Sequence, residues 1–173
     1  CVTQYPWRLP SVAELVSIVN AELKDDLQSS IDMAYFPQTL AEDYWTANEY
    51  VGAPQEAAGI VGFGDGGAVG YTHKSRQLPV RLVSGKREDL PAQRYIDHGD
   101  GRVTDRWTYL MWRFQDSELA TWQSALAQVA DLNDMGEGNG GISVDYHDWR
   151  LPNRHELISL IDYTGTENAF AID

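Results

Sequence analysis

One block of this chain occurs twice. Trp7-Arg8-Leu9-Pro10-Ser11-Val12-Ala13-Glu14-Leu15-Val16-Ser17-Ile18-Val19-Asn20 returns, without a gap, as Trp149-Arg150-Leu151-Pro152-Asn153-Arg154-His155-Glu156-Leu157-Ile158-Ser159-Leu160-Ile161-Asp162. Seven of the fourteen positions are identical, and most of the others exchange like for like. The second block starts 142 residues after the first. A solenoid repeats every 20–50 residues or so, whereas a period this long belongs to repeated whole domains.

The surroundings of the two blocks set the order of the parts. Ile31-Asp32 after the first block is answered by Ile172-Asp173 after the second, one residue out of step. Tyr44-Trp45-Thr46 and all that follows have no counterpart after the second block, and the stretch from about Arg94 to Asp148 has none before the first. The chain therefore reads as the back half of one repeat (residues 1–86), a linker (87–93) and the front half of the next (94–173). The expectation is that neighbouring repeats, or other copies of the chain, complete each half.

Each block carries a helix start. Ser11-x-x-Glu14 and Asn153-x-x-Glu156 follow a proline, so the cap side chain can accept a first-turn N–H and the Glu can reach back to the cap. Leu15, Ile18 and Val19, and likewise Leu157, Leu160 and Ile161, give apolar faces for helices of about three turns. A further helix is expected over 117–132, opened by Ser117 and faced by Leu119, Trp122, Leu126 and Val129. Between them, Ala58–Phe63 and Ala68–Thr72 flank the turn Gly64-Asp65-Gly66-Gly67 as a hairpin, and Leu78–Val83 alternates as a strand for the same sheet. A second hairpin is expected from Arg94–Ile96 through Asp97–Gly101 to Arg102–Thr104, with Leu110–Trp112 beside it. Short capped helices on small antiparallel hairpin sheets make an α+β fold.

Composition narrows the partners. The formal net charge of −13 repels nucleic acid and anionic membrane, and no apolar run reaches the length of a membrane span. Six Trp and nine Tyr indicate ordered packing. The one cysteine, Cys1, leaves no disulfide within the chain; it is either a lipoprotein's acylated residue or the boundary of a piece.

Arg102-Val-Thr-Asp-Arg-Trp-Thr-Tyr-Leu-Met-Trp112, Thr121-Trp122 with Ala125-Leu126, and Asp148-Trp-Arg-Leu-Pro-Asn-Arg-His-Glu-Leu157 form one ordered set of motifs. Tyr44-Trp45-Thr46, Val61-Gly62-Phe63-Gly64 and Val80-Arg-Leu-Val-Ser-Gly85 form another. Together they resemble the C-terminal domain of the Legionella collagen-like adhesin and its bacterial relatives, with the halves permuted. The resemblance implies a C-type-lectin-like arrangement on secreted, surface or lipoprotein chains, often in tandem, with adhesion to sulfated polysaccharide in the adhesin itself. The chain departs from the family at Tyr109, where Gly is usual after Thr, and at Leu82, where Cys is frequent. Its acidity makes a sulfated glycan a poor partner.

Catalytic chemistry finds no foothold. Cys1 alone cannot supply the thiol pair of formylglycine-generating enzymes, and there is no Gly-x-Ser-x-Gly, His-Glu-x-x-His or phosphate loop. His73, His98, His147 and His155 lack zinc-ligand spacing. Asp97, Asp100 and Asp105 surround a Gly-rich turn and suit calcium, although the closing Glu of an EF-hand is missing and Asp is common in turns. Glu137, Asp145 and Asp148 form a weaker acidic set. Trp45, Tyr71 and His73 are the candidates for stacking on a glycan. Trp7, Arg8, Glu14, Trp149, Arg150 and Glu156 read as fold determinants, with each Trp plugging the core and each Arg paired to a carboxylate or stacked on a ring. The reading is of a non-catalytic surface module that assembles with copies of itself into a filament or array, or alternatively one that binds a glycan or a surface protein.

Overall fold

A computed structural model describes residues 5–20, 29–86, 93–113, 119–134 and 146–163. The chain divides into two compact units: Cys1–Arg87 with Arg154–Asp173 (unit 1), and Glu88–Asn153 (unit 2). The helix of the second block thus groups with the segment that holds the first block, so the compact units are not the two sequence halves. The expected linker falls almost wholly outside the described residues.

Unit 1 begins with β1 (Trp7–Arg8) and α1 (Val12–Val16). A three-stranded antiparallel sheet follows, β2 (Asp43–Glu49), β3 (Ala57–Gly62) and β4 (Ala68–His73), with β3 in the middle. β5 (Val83–Ser84) pairs with β1. Tyr44, Val61 and Val69 stand opposite one another on successive strands and therefore share a face. That face meets α1: Val12, Leu15 and Val16 form one buried cluster with Val19, Ile31, Tyr44, Val61 and Phe63. The Tyr44 and Phe63 rings lie 4.6 Å apart.

The capping box of α1 is complete. Ser11 Oγ accepts the Glu14 N–H at 3.2 Å, and Glu14 Oε2 accepts the Ser11 N–H at 2.8 Å. The helix is shorter than the three turns its apolar spacing suggests. Ser17 Oγ donates to the Glu14 carbonyl at 2.7 Å, a local bond that competes with the next helical turn. Ser159 makes the same 2.7 Å bond to the Glu156 carbonyl in α3 (Arg154–Ser159). The Glu-x-x-Ser shared by both blocks is therefore a stop as well as a start.

Leu78–Val83 does not join the three-stranded sheet as a strand. The Trp45 N–H donates to the Pro79 carbonyl at 3.3 Å, but Pro79 has no N–H with which to return a ladder bond, and only Val83–Ser84 pairs, with β1. The third strand is β2, whose inward residues Tyr44, Thr46 and Asn48 include two polar side chains and so gave no apolar alternation.

Unit 2 holds a second three-stranded antiparallel sheet, β6 (Tyr95–Asp97), β7 (Arg102–Asp105) and β8 (Leu110–Arg113), and helix α2 (Trp122–Asp134). Thr121 caps α2, its Oγ1 accepting the Ser124 N–H at 3.2 Å. The helix therefore starts later than 117; Ser117 lies outside the described residues. No helix among the described residues is long and apolar enough to cross a membrane.

Candidate functional site

The Arg8 guanidinium grips Glu14 through two parallel bonds, Nη1 to Oε2 at 2.8 Å and Nη2 to Oε1 at 2.5 Å. That bond, with the Ser11 N–H also on the carboxylate, outweighs partial burial and pulls Glu14 down to about 2. Trp7, expected to plug the core, is instead 70% exposed. Successive strand residues face opposite ways, so turning Arg8 onto the helix cap turns Trp7 outward. Trp149 is half-buried; its N–H and carbonyl both bond the Asn133 side chain, at 2.9 and 2.8 Å. Arg150 Nη1 donates to the Leu151 carbonyl at 3.3 Å, as Arg8 Nη1 does to Leu9.

The second block's helix is anchored within unit 1 by the residues that distinguish it from the first. Arg154, where the first block has Val12, donates to the carbonyls of Gly66 and Gly67 in the β3–β4 turn. Gly67 has φ +80°, and a Cβ there would come within 3.0 Å of Val19 and Arg154 atoms, so the turn needs glycine. His155, where the first block has Ala13, bonds the Val16 carbonyl at 3.2 Å. Ile158 and Tyr163 pack against the core cluster. The buried Asn48 joins the parts, accepting the Val12 N–H at 2.9 Å and donating to the Tyr163 carbonyl at 3.3 Å.

The aspartates suggested for calcium do not converge. The Asp105 side chain is fully buried, forked by Arg94 at 2.6 and 3.0 Å and bonded by the Trp107 N–H at 2.9 Å. Burial alone would raise its pKa, but the Arg94 and Trp107 bonds outweigh it and hold the carboxyl below the ordinary range. The Arg94 guanidinium also lies against the Tyr95 and Trp107 rings, 4.8 and 5.0 Å from their centroids. Asp100 is taken by Arg102, at 2.5 Å, and Asp97 by the Gly99 N–H at 2.7 Å. Among the described residues no group of three or more His, Cys, Asp or Glu side chains is disposed to hold a metal. Glu137 and Asp145 of the second acidic set lie outside the described residues, and Asp148 is exposed.

Trp45, Tyr71 and His73 are not gathered into one site. Trp45 pairs across the sheet with Ile60, whereas Tyr71 pairs with Gly59, and residues 59 and 60 face opposite sides of β3. His73 turns to Ser75, Nδ1 to Oγ at 2.7 Å. Tyr71 has another neighbour, missed in the sequence: Tyr50, its ring centroid 4.9 Å away, with both rings more than a third exposed. Burial, then the neighbouring Tyr50, raises the Tyr71 hydroxyl; burial, then Tyr71, raises that of Tyr163.

Unit 2 has no buried apolar core among its described residues. Every apolar side chain buried among the described residues belongs to unit 1; in unit 2 only Arg102 and Asp105 are buried. α2 buries none of its residues, and Trp122, 66% exposed, and Leu126 stand one turn apart on it. Leu119, just before the helix, is fully exposed.

Neither the curated proteins nor the solved structures give a match to this chain. The model of the Lcl C-terminal domain, an adhesin-type surface domain, matches residues 2–84 and 101–173, nearly the whole chain in two segments that leave the region between the halves unmatched. The chain belongs to the Lcl C-terminal domain family.

Proposed function

We propose that the chain is a non-catalytic, secreted or cell-surface module that works by assembly: the front half of one copy is completed by the back half, residues 1–86, of a neighbour. The observation that carries this reading is the absence of any buried apolar side chain among the described residues of unit 2, beside an α2 that leaves Trp122 and Leu126 in water. A helix of that composition is stabilised in water chiefly by covering its apolar stripe. Exchange of equivalent halves between copies is a low-cost route to such cover. No metal enters this reading. Sedimentation velocity across a concentration series tests it. Association that rises with concentration, with a blue shift of Trp emission, is expected for the chain, and the part of it that shifts Trp emission is lost in Trp122→Glu/Leu126→Lys. Unchanged association in that folded double variant overturns it.

A second reading is favoured by the exposed Tyr50–Tyr71 pair, which offers two adjacent ring faces for stacking on a neutral glycan or a surface protein. A glycan array in which Tyr50→Ala and Tyr71→Ala abolish the same hits supports it; an array without hits removes it.

A further inference from the structure

β4 is an outer strand of its sheet. Which way its main chain faces follows from two bonds on either side of β3. Lys74 N donates to Glu56 O at 2.7 Å, and Phe63 N to Glu42 O at 3.0 Å. In an antiparallel ladder successive residues turn their N–H and C=O groups to opposite sides. The even-numbered residues of β3 therefore bond β4, and the odd-numbered ones bond β2. On β4, Ala68, Gly70 and Thr72 turn inward to β3, while Val69, Tyr71 and His73 turn their main chain outward. The His73 carbonyl is taken by Arg76 N at 3.0 Å. Among the described residues, the outward N–H and C=O of Val69 and Tyr71 have no partner.

Among the described residues this edge has none of the usual protections. Ala68-Val-Gly-Tyr-Thr-His73 contains no Lys, Arg, Asp, Glu or Pro, and it pairs with β3 over its six residues without a bulge. In a chain of formal charge −13, a strand free of formal charge on an open edge is an exception. The opposite edge of the same sheet is covered: Trp45 N and Ala47 N donate to the carbonyls of Pro79 and Pro10, at 3.3 and 2.7 Å.

We propose that β4 pairs with β4 of a second copy of the chain, antiparallel, about a twofold axis at Gly70. In that register Val69 of each copy lies opposite Tyr71 of the other, and both present outward main-chain groups. Each Val69–Tyr71 pair closes two hydrogen bonds, and the two sheets become one. Gly70 meets its own image as the close, non-bonded pair, where Cα atoms approach to about 4.5 Å, and it brings no side chain to that approach. Val69 against Tyr71 is the β-branched–aromatic combination that stabilises cross-strand neighbours. Charge is complementary at the ends. The turn carrying Asp65 comes alongside the other copy's turn carrying Lys74 and Arg76, twice by symmetry. The Arg76 side chain is half exposed, donating to Thr72 Oγ1 of β4 at 3.2 Å and lying 3.8 Å from Asp43. The pairing uses unit 1 alone, goes beyond completion through α2, and stands or falls separately from it.

The test uses the full chain carrying Trp122→Glu/Leu126→Lys, which removes association through α2, and Cys1→Ser, which removes the only cysteine. Gly70→Cys in this background is expected to give a disulfide-linked dimer under mild oxidation, because the twofold axis sets the two residues within disulfide reach. A Cβ at Gly70 meets only Ile60 atoms at 3.7 and 3.8 Å, ordinary contact, so the variant folds. Thr72→Cys, off the axis, is expected to stay uncross-linked. Val69→Pro removes an outward N–H without touching the β3 ladder and is expected to abolish the dimer seen by sedimentation. A folded Gly70→Cys chain that remains monomeric overturns the proposal, and so does equal cross-linking at Thr72→Cys. A monomeric background chain whose β4 captures an added extended peptide also overturns self-pairing.

Discussion

The side-chain amide of Asn48 is spent at both ends, on the first N–H of α1 at Val12 and on the carbonyl of Tyr163. It is a buried polar group in the core-facing series of β2, and it ties the first block to the chain that follows the second. Asn48→Leu leaves a helix N–H and a carbonyl unpaired and is expected to cost about 2 kcal/mol in chemical denaturation. Asn48→Asp keeps the acceptor for Val12 but sets a buried carboxylate against the Tyr163 carbonyl, so it is expected to cost more than Asn48→Leu, about 3 kcal/mol.

Acid should weaken unit 1 through Glu14. Its carboxyl sits at about 2 in the folded chain against an ordinary 4.5, so the unfolded chain takes up the proton first as pH falls. The stabilisation is whole above about pH 4.5 and is lost on the way down to about pH 2. With a side chain nearly a third exposed, solvent screening trims it to about 1 kcal/mol. Thermal unfolding followed from pH 6 to pH 2 should show a shallower acid decline in Arg8→Met.

Asp105→Asn leaves Arg94 as a nearly buried cation without its counter-charge. Breaking such a pair from one side costs about 3 kcal/mol. The loss should appear in unit 2 first, as faster hydrogen exchange of the Arg106 N–H, which bonds the Arg94 carbonyl at 2.8 Å.

Tyr109 occupies the left-handed region, φ 57°, in the turn between β7 and β8, with its ring almost wholly in water. Gly takes that conformation without a Cβ penalty. Tyr109→Gly should therefore stabilise the chain by about 0.5 kcal/mol, the relief of strain exceeding the extra freedom Gly gives the unfolded state. Destabilisation of that size in equilibrium unfolding would contradict the strain argument.

Calcium should leave the chain indifferent at the 97–105 turn, because Asp97, Asp100 and Asp105 are each held by a different partner. Adding millimolar calcium, or removing it with chelator, is expected to leave the melting temperature unchanged.

Much of this was legible from residue order. Proline followed by Ser-x-x-Glu marks the α1 cap because the bonds it makes are local. The hairpin at Gly64–Gly67 is legible for the same reason: its turn demands positive φ, which the sequence meets with glycine. Long-range choices were not. Trp7 looks like core by residue type, yet its orientation is decided by what Arg8 does one position on. β2 hides because a buried Asn and Thr interrupt its apolar face. Asp105 and Asp100 of the candidate calcium set are each paired with an arginine, Arg94 and Arg102, and the Arg94 partner lies too far along the chain to be read from the turn itself. Tyr50 and Tyr71 come together only through strand register. Arg154 and His155 did leave a signal, as the places where two otherwise similar blocks diverge in character.

That divergence solves a problem that duplication creates. Two near-identical helices in one chain compete for one seat, and a chain that cannot choose folds into a mixture. Val12 is fully buried in its seat, so α3 placed there would drive the Arg154 charge into the apolar core. α1 placed in the seat of α3 would leave the Gly66 and Gly67 carbonyls without their guanidinium. A single exchange, Val for Arg, thus makes the duplicated helices non-interchangeable and leaves the chain one way to be threaded.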